Sequence, residues 1–338
     1  MTDAPFDDIH ALLRLMPEAS TTAVAAAYAR QEELTKPAGS LGRLEDIAAF
    51  VAGWQDKPMP TFERPLVAIF AGNHGVVAQG VSAFPASVTE AMLKNFQAGG
   101  AAINQICATH GIGLKVFELA LEHPTEDITQ APALTQAAAA ATFAYGMEAI
   151  AEGVDVLCLG EMGIGNTTVA AAIYHALYGG AAADWVGPGT GVDPEGLARK
   201  VAAVEAAVRL HAPHCDDPLE LLRRLGGREV VAMAGAIVAA RLQRVPVILD
   251  GYVVCAAAAV VHALDPAALD HCLAGHVSSE GAHREVLRRL GKTPLLDLGL
   301  HLGEGSGGAL AMGIVKAAIA CHRDMATFAE AAVAGRLP

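Results

Sequence analysis

The stretch from Val154 to Ile173 constrains this chain more than any other. An apolar run, Val154 to Leu159, has the length and unbroken hydrophobicity of a parallel strand buried on both faces. It enters a turn with three glycines (Gly160, Gly163, Gly165), and Asn166-Thr167-Thr168 then opens an Ala-rich helix. Such a unit directs backbone N–H groups and the positive helix end into the crevice at the strand's C-terminus, where an anion binds. Glu161, at the mouth of the turn, would repel a phosphate set too near and suits a centre that develops positive charge. A phosphate cradle beside a lone carboxylate points to chemistry on a phosphorylated sugar.

The rest of the chain repeats the theme. Strand and helix alternate from roughly 66 to 300, as in a parallel sheet with right-handed crossovers. Strands are expected at Leu66–Ala71, Leu114–Leu119, Val245–Leu249, Cys272–Val277 and Leu295–Leu298. Ligands on such sheets gather at the carboxyl ends of the strands, and the glycine-rich turns fall there. Leu302-Gly303-Glu304-Gly305 echoes Leu159-Gly160-Glu161, and an Ala-rich helix (Ala309 to Ala320) follows it too. One acid can abstract a proton while a fixed negative charge stabilises an oxocarbenium-like centre. Spacing does not say which acid does which.

Residues 1–57 read as helices, with Ser20 or Thr21 capping the second and Ser40 the third; Ser87 or Thr89 caps the helix through Phe96. Lys36 and Arg43 flank a Pro/Gly turn, as anion contacts or as solvated charges. His74, after the first strand, is catalytic or orients its loop. Pro194 opens a helix after the second glycine-rich turn (Asp184 to Asp193), and Lys200 inside that helix can reach an anion near the turn.

A net charge of −13 argues against a nucleic-acid partner, which calls for clustered Lys and Arg. The apolar runs, such as Val230 to Ala240, are too short to cross a bilayer, and no signal peptide is evident. Six scattered cysteines without a C-x-x-C pair read as reduced thiols of a cytoplasmic protein. His211 and His214 beside Cys215 close a helix and read as structural, so no metal or other cofactor is expected.

Taken together, several ordered blocks resemble the nicotinate-nucleotide–dimethylbenzimidazole phosphoribosyltransferase family. They are KPAGSLGRLE (36–45), FAGNHGVV to AIN (70–104), GEMGIGNTT (160–168), GTGVD (189–193), LDG (249–251), 276–284 and LLDLGLHLGEGSG (295–307). The resemblance implies an α/β fold: a Rossmann-like parallel sheet flanked by helices in a large domain, 62–303. It also implies a small helical domain from both termini, 1–61 with 304–338, and a homodimer. The implied reaction transfers phosphoribose from nicotinate mononucleotide to 5,6-dimethylbenzimidazole in cobalamin biosynthesis. Glu304 matches the family's general base and Glu161 the glutamate near the ribose. Gly163, Gly165, Asn166 and Thr167 match the phosphate contacts, Lys200 and Ser278 further nucleotide contacts, and Ser82, Phe84 and Pro85 the border of the base pocket. Asn73, Ala91 and His301 depart from residues frequent in the family and bear on base preference. A non-catalytic nucleotide sensor on the same fold is the alternative. A dinucleotide-dependent dehydrogenase is disfavoured because Ala71-Gly72-Asn73-His74-Gly75 is not G-x-G-x-x-G.

Overall fold

The computed structural model describes residues 6–150 and 153–334; the ends of the expected terminal domain, 1–5 and 335–338, and the last residue of a helix expected over 136–151 lie outside them. In chain order, α1 (Asp7–Leu13), α2 (Thr21–Glu33) and α3 (Arg43–Gln55) lead into β1 (Pro65–Ala71). Then come α4 (Ser87–Gln97), α5 (Ala102–His110), β2 (Gly113–Glu118), α6 (Gln136–Glu148) and β3 (Val156–Met162). After β3 follow α7 (Asn166–Tyr178), α8 (Ala182–Trp185), α9 (Pro194–His211), α10 (Pro218–Leu225) and α11 (Arg228–Leu242). The chain continues through β4 (Val247–Leu249), α12 (Tyr252–Leu264), β5 (Cys272–Ala274), α13 (His283–Arg289) and α14 (Ser306–Asp324).

All strand pairs are parallel, in the order β2-β1-β3-β4-β5. Every residue of β1 and β3 is buried, as expected where helices cover both faces. The period of two sorts their side chains. Leu66, Ala68, Phe70, Leu157 and Leu159 join a core with α6, α7, α11 and α12. Val67, Ile69, Ala71, Val156 and Cys158 join the opposite core with α3, α4, α5 and α14. Helix α11 is buried almost all round and lies against α6 closely enough that a methyl on Gly146 would overlap the Ala232 carbonyl. That contact is where the glycine and alanine content takes effect. The terminal helices α2 and α3 pack on each other, and α14 links them to the sheet by covering β3 and β4 as well as α3.

Local chemistry explains most of the boundaries. Ser20 caps α2 through the Ala23 amide, and Asp193 caps α9 through the Gly196 amide with Pro194 at the first position. Several expectations need correction. Ser40 caps nothing: α3 starts at Arg43, and the Glu45 carboxylate takes the Leu41 amide at 3.0 Å. Neither Ser87 nor Thr89 caps α4; the Thr89 hydroxyl accepts from the Ile164 amide at 3.2 Å instead, tying α4 to the turn after β3. The segment 295–298 is no strand. It runs beside the end of β5 with one bridge, His276 to Leu296, and with the Leu295 and Leu296 amides donating to the Ala274 and Gly275 carbonyls. Lys36 and Arg43 are both engaged within the protein: Lys36 is buried on Glu45 at 2.8 Å, and Arg43 donates to the Pro294 and Thr293 carbonyls.

Candidate active site

Strand order reverses between β1 and β3, and the crevice beside such a reversal receives ligands in open parallel sheets. β3 runs three residues further than hydrophobicity alone indicates, so Glu161 is its last residue but one. From there the carboxylate enters a cleft that opens to solvent at its mouth. Glu304 lines the same cleft, as do Gly163, Asn166, Thr167 and Ser278. Two acids from turns far apart in sequence therefore open onto one space.

The two turns resemble each other in sequence more than in backbone. In the first, Gly165 precedes α7 with φ +94°, and the Asn166 amide bonds back to the Gly163 carbonyl at 3.1 Å. In the second, Gly305 precedes α14 with φ +78°, and the Ser306 amide bonds back to the Gly303 carbonyl at 3.0 Å. Glu161 lies in extended strand, whereas Glu304 adopts φ +63°, a conformation that costs a residue with a side chain about 1–2 kcal/mol. The turns touch through their backbones. A methyl on Gly160 would fall 2.8 Å from the Gly305 nitrogen and 2.9 Å from the Glu304 carbonyl carbon.

Asp250, at the end of β4, holds the second turn in place. It is fully buried; Oδ2 accepts from the Gly305 amide at 3.1 Å and Oδ1 from the Gly308 amide at 2.7 Å. His276 stands 3.3 Å from Oδ1 and lines the cleft. Burial and the negative Asp250 push the Glu304 carboxyl up to about 7. The same two causes push Glu161 up to about 8, against a hydrogen bond that its Oε2 accepts from the Asn166 amide group. An acid titrating near neutrality at the edge of a cleft is suited to taking a proton.

A second, smaller cavity adjoins the first along Gly163, Ile164, Asn166 and Thr167, and adds Ser82, Gly165 and Lys200. Lys200 donates to the Thr167 hydroxyl at 3.0 Å and the Gly187 carbonyl at 2.8 Å. Burial draws its pKa down to about 8. A buried ammonium beside the N-terminus of α7 makes this cavity the place for an anion. A third opening, wider and shallower, runs from Gly189 and Thr190 to Phe84 and shares Glu280, His301 and Leu302 with the main cleft.

The expected base-pocket residues are therefore divided: Ser82 borders the anion cavity and Phe84 the outer opening. Pro85 precedes α4, where its carbonyl accepts from the Val88 amide. Of the three departures, only His301 lines the cleft. Ala91 is exposed on α4, and Asn73 donates to the Leu121 carbonyl. His74 does not line the cleft: it is buried 2.9 Å from Glu229 behind Gly163. Three lining or supporting residues were assigned no role from sequence: Asp250, His276 and Glu280. Asp250 stood in the Leu-Asp-Gly block at a strand end, and that position was the available signal.

The family model described as "Phosphoribosyltransferase" matches residues 16–333. A nicotinate-nucleotide–dimethylbenzimidazole phosphoribosyltransferase of Methylocella silvestris is 72% identical over 334 residues, covering 99% of this chain and 98% of the relative. That of Sinorhizobium medicae is 65% identical over 98% of both. The solved structure of the enzyme with this name from Thermus thermophilus is 40% identical, with a TM-score of 0.85 over 94% of this chain and all of that one.

Proposed function

The chain belongs to the nicotinate-nucleotide–dimethylbenzimidazole phosphoribosyltransferase family, and we propose that it moves the phosphoribosyl group of nicotinate mononucleotide onto 5,6-dimethylbenzimidazole. The products are α-ribazole 5′-phosphate and nicotinate. The observation that carries this reading is the convergence of Glu161 and Glu304 on one cleft beside the Lys200 cavity.

The phosphate sits at the N-terminus of α7, against Gly163, Gly165, Asn166 and Thr167, with the third N–H of Lys200 free to reach it. This places C1′ in the main cleft. One benzimidazole nitrogen attacks C1′ while the bond from C1′ to the pyridinium nitrogen breaks. The bonding pair leaves with nicotinate and neutralises its ring, so no acid is needed on that side. The other benzimidazole nitrogen gives its proton to Glu304, whose carboxyl is brought up to about 7 by burial and Asp250. Glu161 then faces the positive charge that spreads over C1′ and the ring oxygen. The cationic pyridinium ring of the bound nucleotide favours the ionised form of both acids. Ser278 contacts the nucleotide from the cleft wall, Ser82 borders the anion cavity, and Phe84, at the outer opening, borders the incoming base.

We place the protein in the cytoplasm as a homodimer, and sedimentation of the purified chain tests the dimer. Among the described residues no helix is long and apolar enough to cross a membrane. Mixing the chain with nicotinate mononucleotide and 5,6-dimethylbenzimidazole tests the reaction. Chromatography is expected to show α-ribazole 5′-phosphate and an equal amount of nicotinate. Binding of the nucleotide without its consumption would contradict the proposal and favour a sensor.

A further inference from the structure

Glu280 is a carboxylate without a task in the scheme above. It is 7% exposed, and its Oε1 is buried with no hydrogen-bond partner among the described residues. Its carboxylate presses on Gly187, where any side chain would overlap it, and the Gly187 carbonyl accepts from Lys200. Glu280 also lines both the acid cleft and the outer opening. A buried carboxylate with an unmet acceptor is costly, and it is retained where a donor arrives with the ligand.

The substrate limits what that donor can be. Phosphate and the nicotinate carboxylate are anions and would be repelled. With phosphate held near Lys200 and C1′ near Glu161 and Glu304, the groups left facing the cleft wall are the sugar hydroxyls, both capable of donating. A carboxylate is a natural acceptor for a pair of vicinal hydroxyls. We propose that Glu280 accepts hydrogen bonds from the 2′,3′-diol of the mononucleotide ribose, so that the site selects a ribonucleotide over its deoxy counterparts. The identity of the nucleotide rests on the reading in the preceding subsection.

The alternative role is electrostatic, Glu280 serving only as a counter-charge for Lys200. That role weakens every nucleotide alike, whatever its sugar. Calorimetric titration of the full chain separates the two, using nicotinate mononucleotide and its 2′-deoxy and 3′-deoxy analogues on wild type, Glu280→Ala and Glu280→Gln. Wild type is expected to bind at least one deoxy analogue roughly ten- to hundredfold more weakly, the range for a hydrogen bond to a charged group. Glu280→Ala is expected to lose about as much on the ribonucleotide and to bind both sugar types equally. Glu280→Gln, which keeps an acceptor oxygen and the side-chain volume, falls between and guards against a folding defect in the alanine variant. Wild-type indifference to both analogues overturns the proposal, and so does an undiminished preference for ribose in Glu280→Ala. A wild type that prefers ribose yet makes no product with the benzimidazole removes the transfer reaction and leaves this assignment standing.

Discussion

Asp250 clamps the start of α14 by accepting the Gly305 amide at 3.1 Å, one residue beyond Glu304. A second bond, to the Gly308 amide at 2.7 Å, uses its other oxygen. The acid proposed to take the proton is thus positioned by another acid that is buried away from solvent. Asp250→Asn leaves one acceptor oxygen where two are used. We expect kcat to fall about ten- to hundredfold with nucleotide affinity nearly unchanged, since misplacing a reacting group acts on the chemical step. Steady-state kinetics beside a nucleotide titration checks it; an affinity loss equal to the kcat loss would assign Asp250 to binding.

Glu304→Gln removes the proposed base. Turnover should drop on the order of a hundredfold to ten-thousandfold. In wild type, kcat/KM for the benzimidazole rises with pH through about 7, because Glu304 works only when ionised. The variant's profile should lack that limb. Near wild-type turnover in Glu304→Gln would refute the assignment.

Lys200→Ala should weaken nicotinate mononucleotide by roughly ten- to hundredfold and leave benzimidazole affinity alone. The ammonium is charged below its pKa of about 8, so wild-type nucleotide affinity declines as pH rises past that value. Equal affinities for wild type and variant would take Lys200 out of the site.

Gly160→Ala tests the contact between the two turns. The new methyl meets backbone at Gly305 and Glu304, which cannot swing aside as a side chain can. Activity should fall at least tenfold, and the melting temperature should drop with it by about 1–2 °C for each kcal/mol lost. Full activity in this variant would mean that the turns tolerate separation.

Glu161→Gln bears on stability against pH. Folding raises the Glu161 pKa from an ordinary carboxylate value to about 8, chiefly through burial. The folded chain therefore holds a proton that the unfolded chain releases, and stability falls as pH climbs from about 4.5 to about 8. Glutamine does not titrate, so the variant's melting temperature relative to wild type should rise across that window. A constant difference would show that Glu161 carries no such burden.

The sequence disclosed the parts that depend on local chemistry. Gly163, Gly165 and Asn166 spelled out a strand–turn–helix unit, and it forms as read. Glu161 and Glu304 stood out because glycine-rich turns set them apart. The order β2-β1-β3-β4-β5 was not legible, because adjacency in a sheet depends on which helical layer each crossover joins. Helix α12 passed unremarked: Tyr252 to Val261 is buried on every side and shows no amphipathic period. Thr89 read as a cap because its hydroxyl is cap-like, yet its partner, the Ile164 amide, lies 75 residues away. Glu280 was assigned no role, since only the fold sets its carboxylate against Gly187, whose carbonyl accepts from Lys200.

Helix α14 follows every other described element, yet it both roofs β3 and β4 and carries Glu304 in on its leading turn. On the ribosome, where synthesis runs from the N-terminus, the strip bearing Val156, Cys158 and Ile248 stays bare until this helix has emerged. A nascent chain arrested before then lacks Glu304 and leaves that apolar strip uncovered by α14. Completion of the core and onset of catalysis thus arrive as one event.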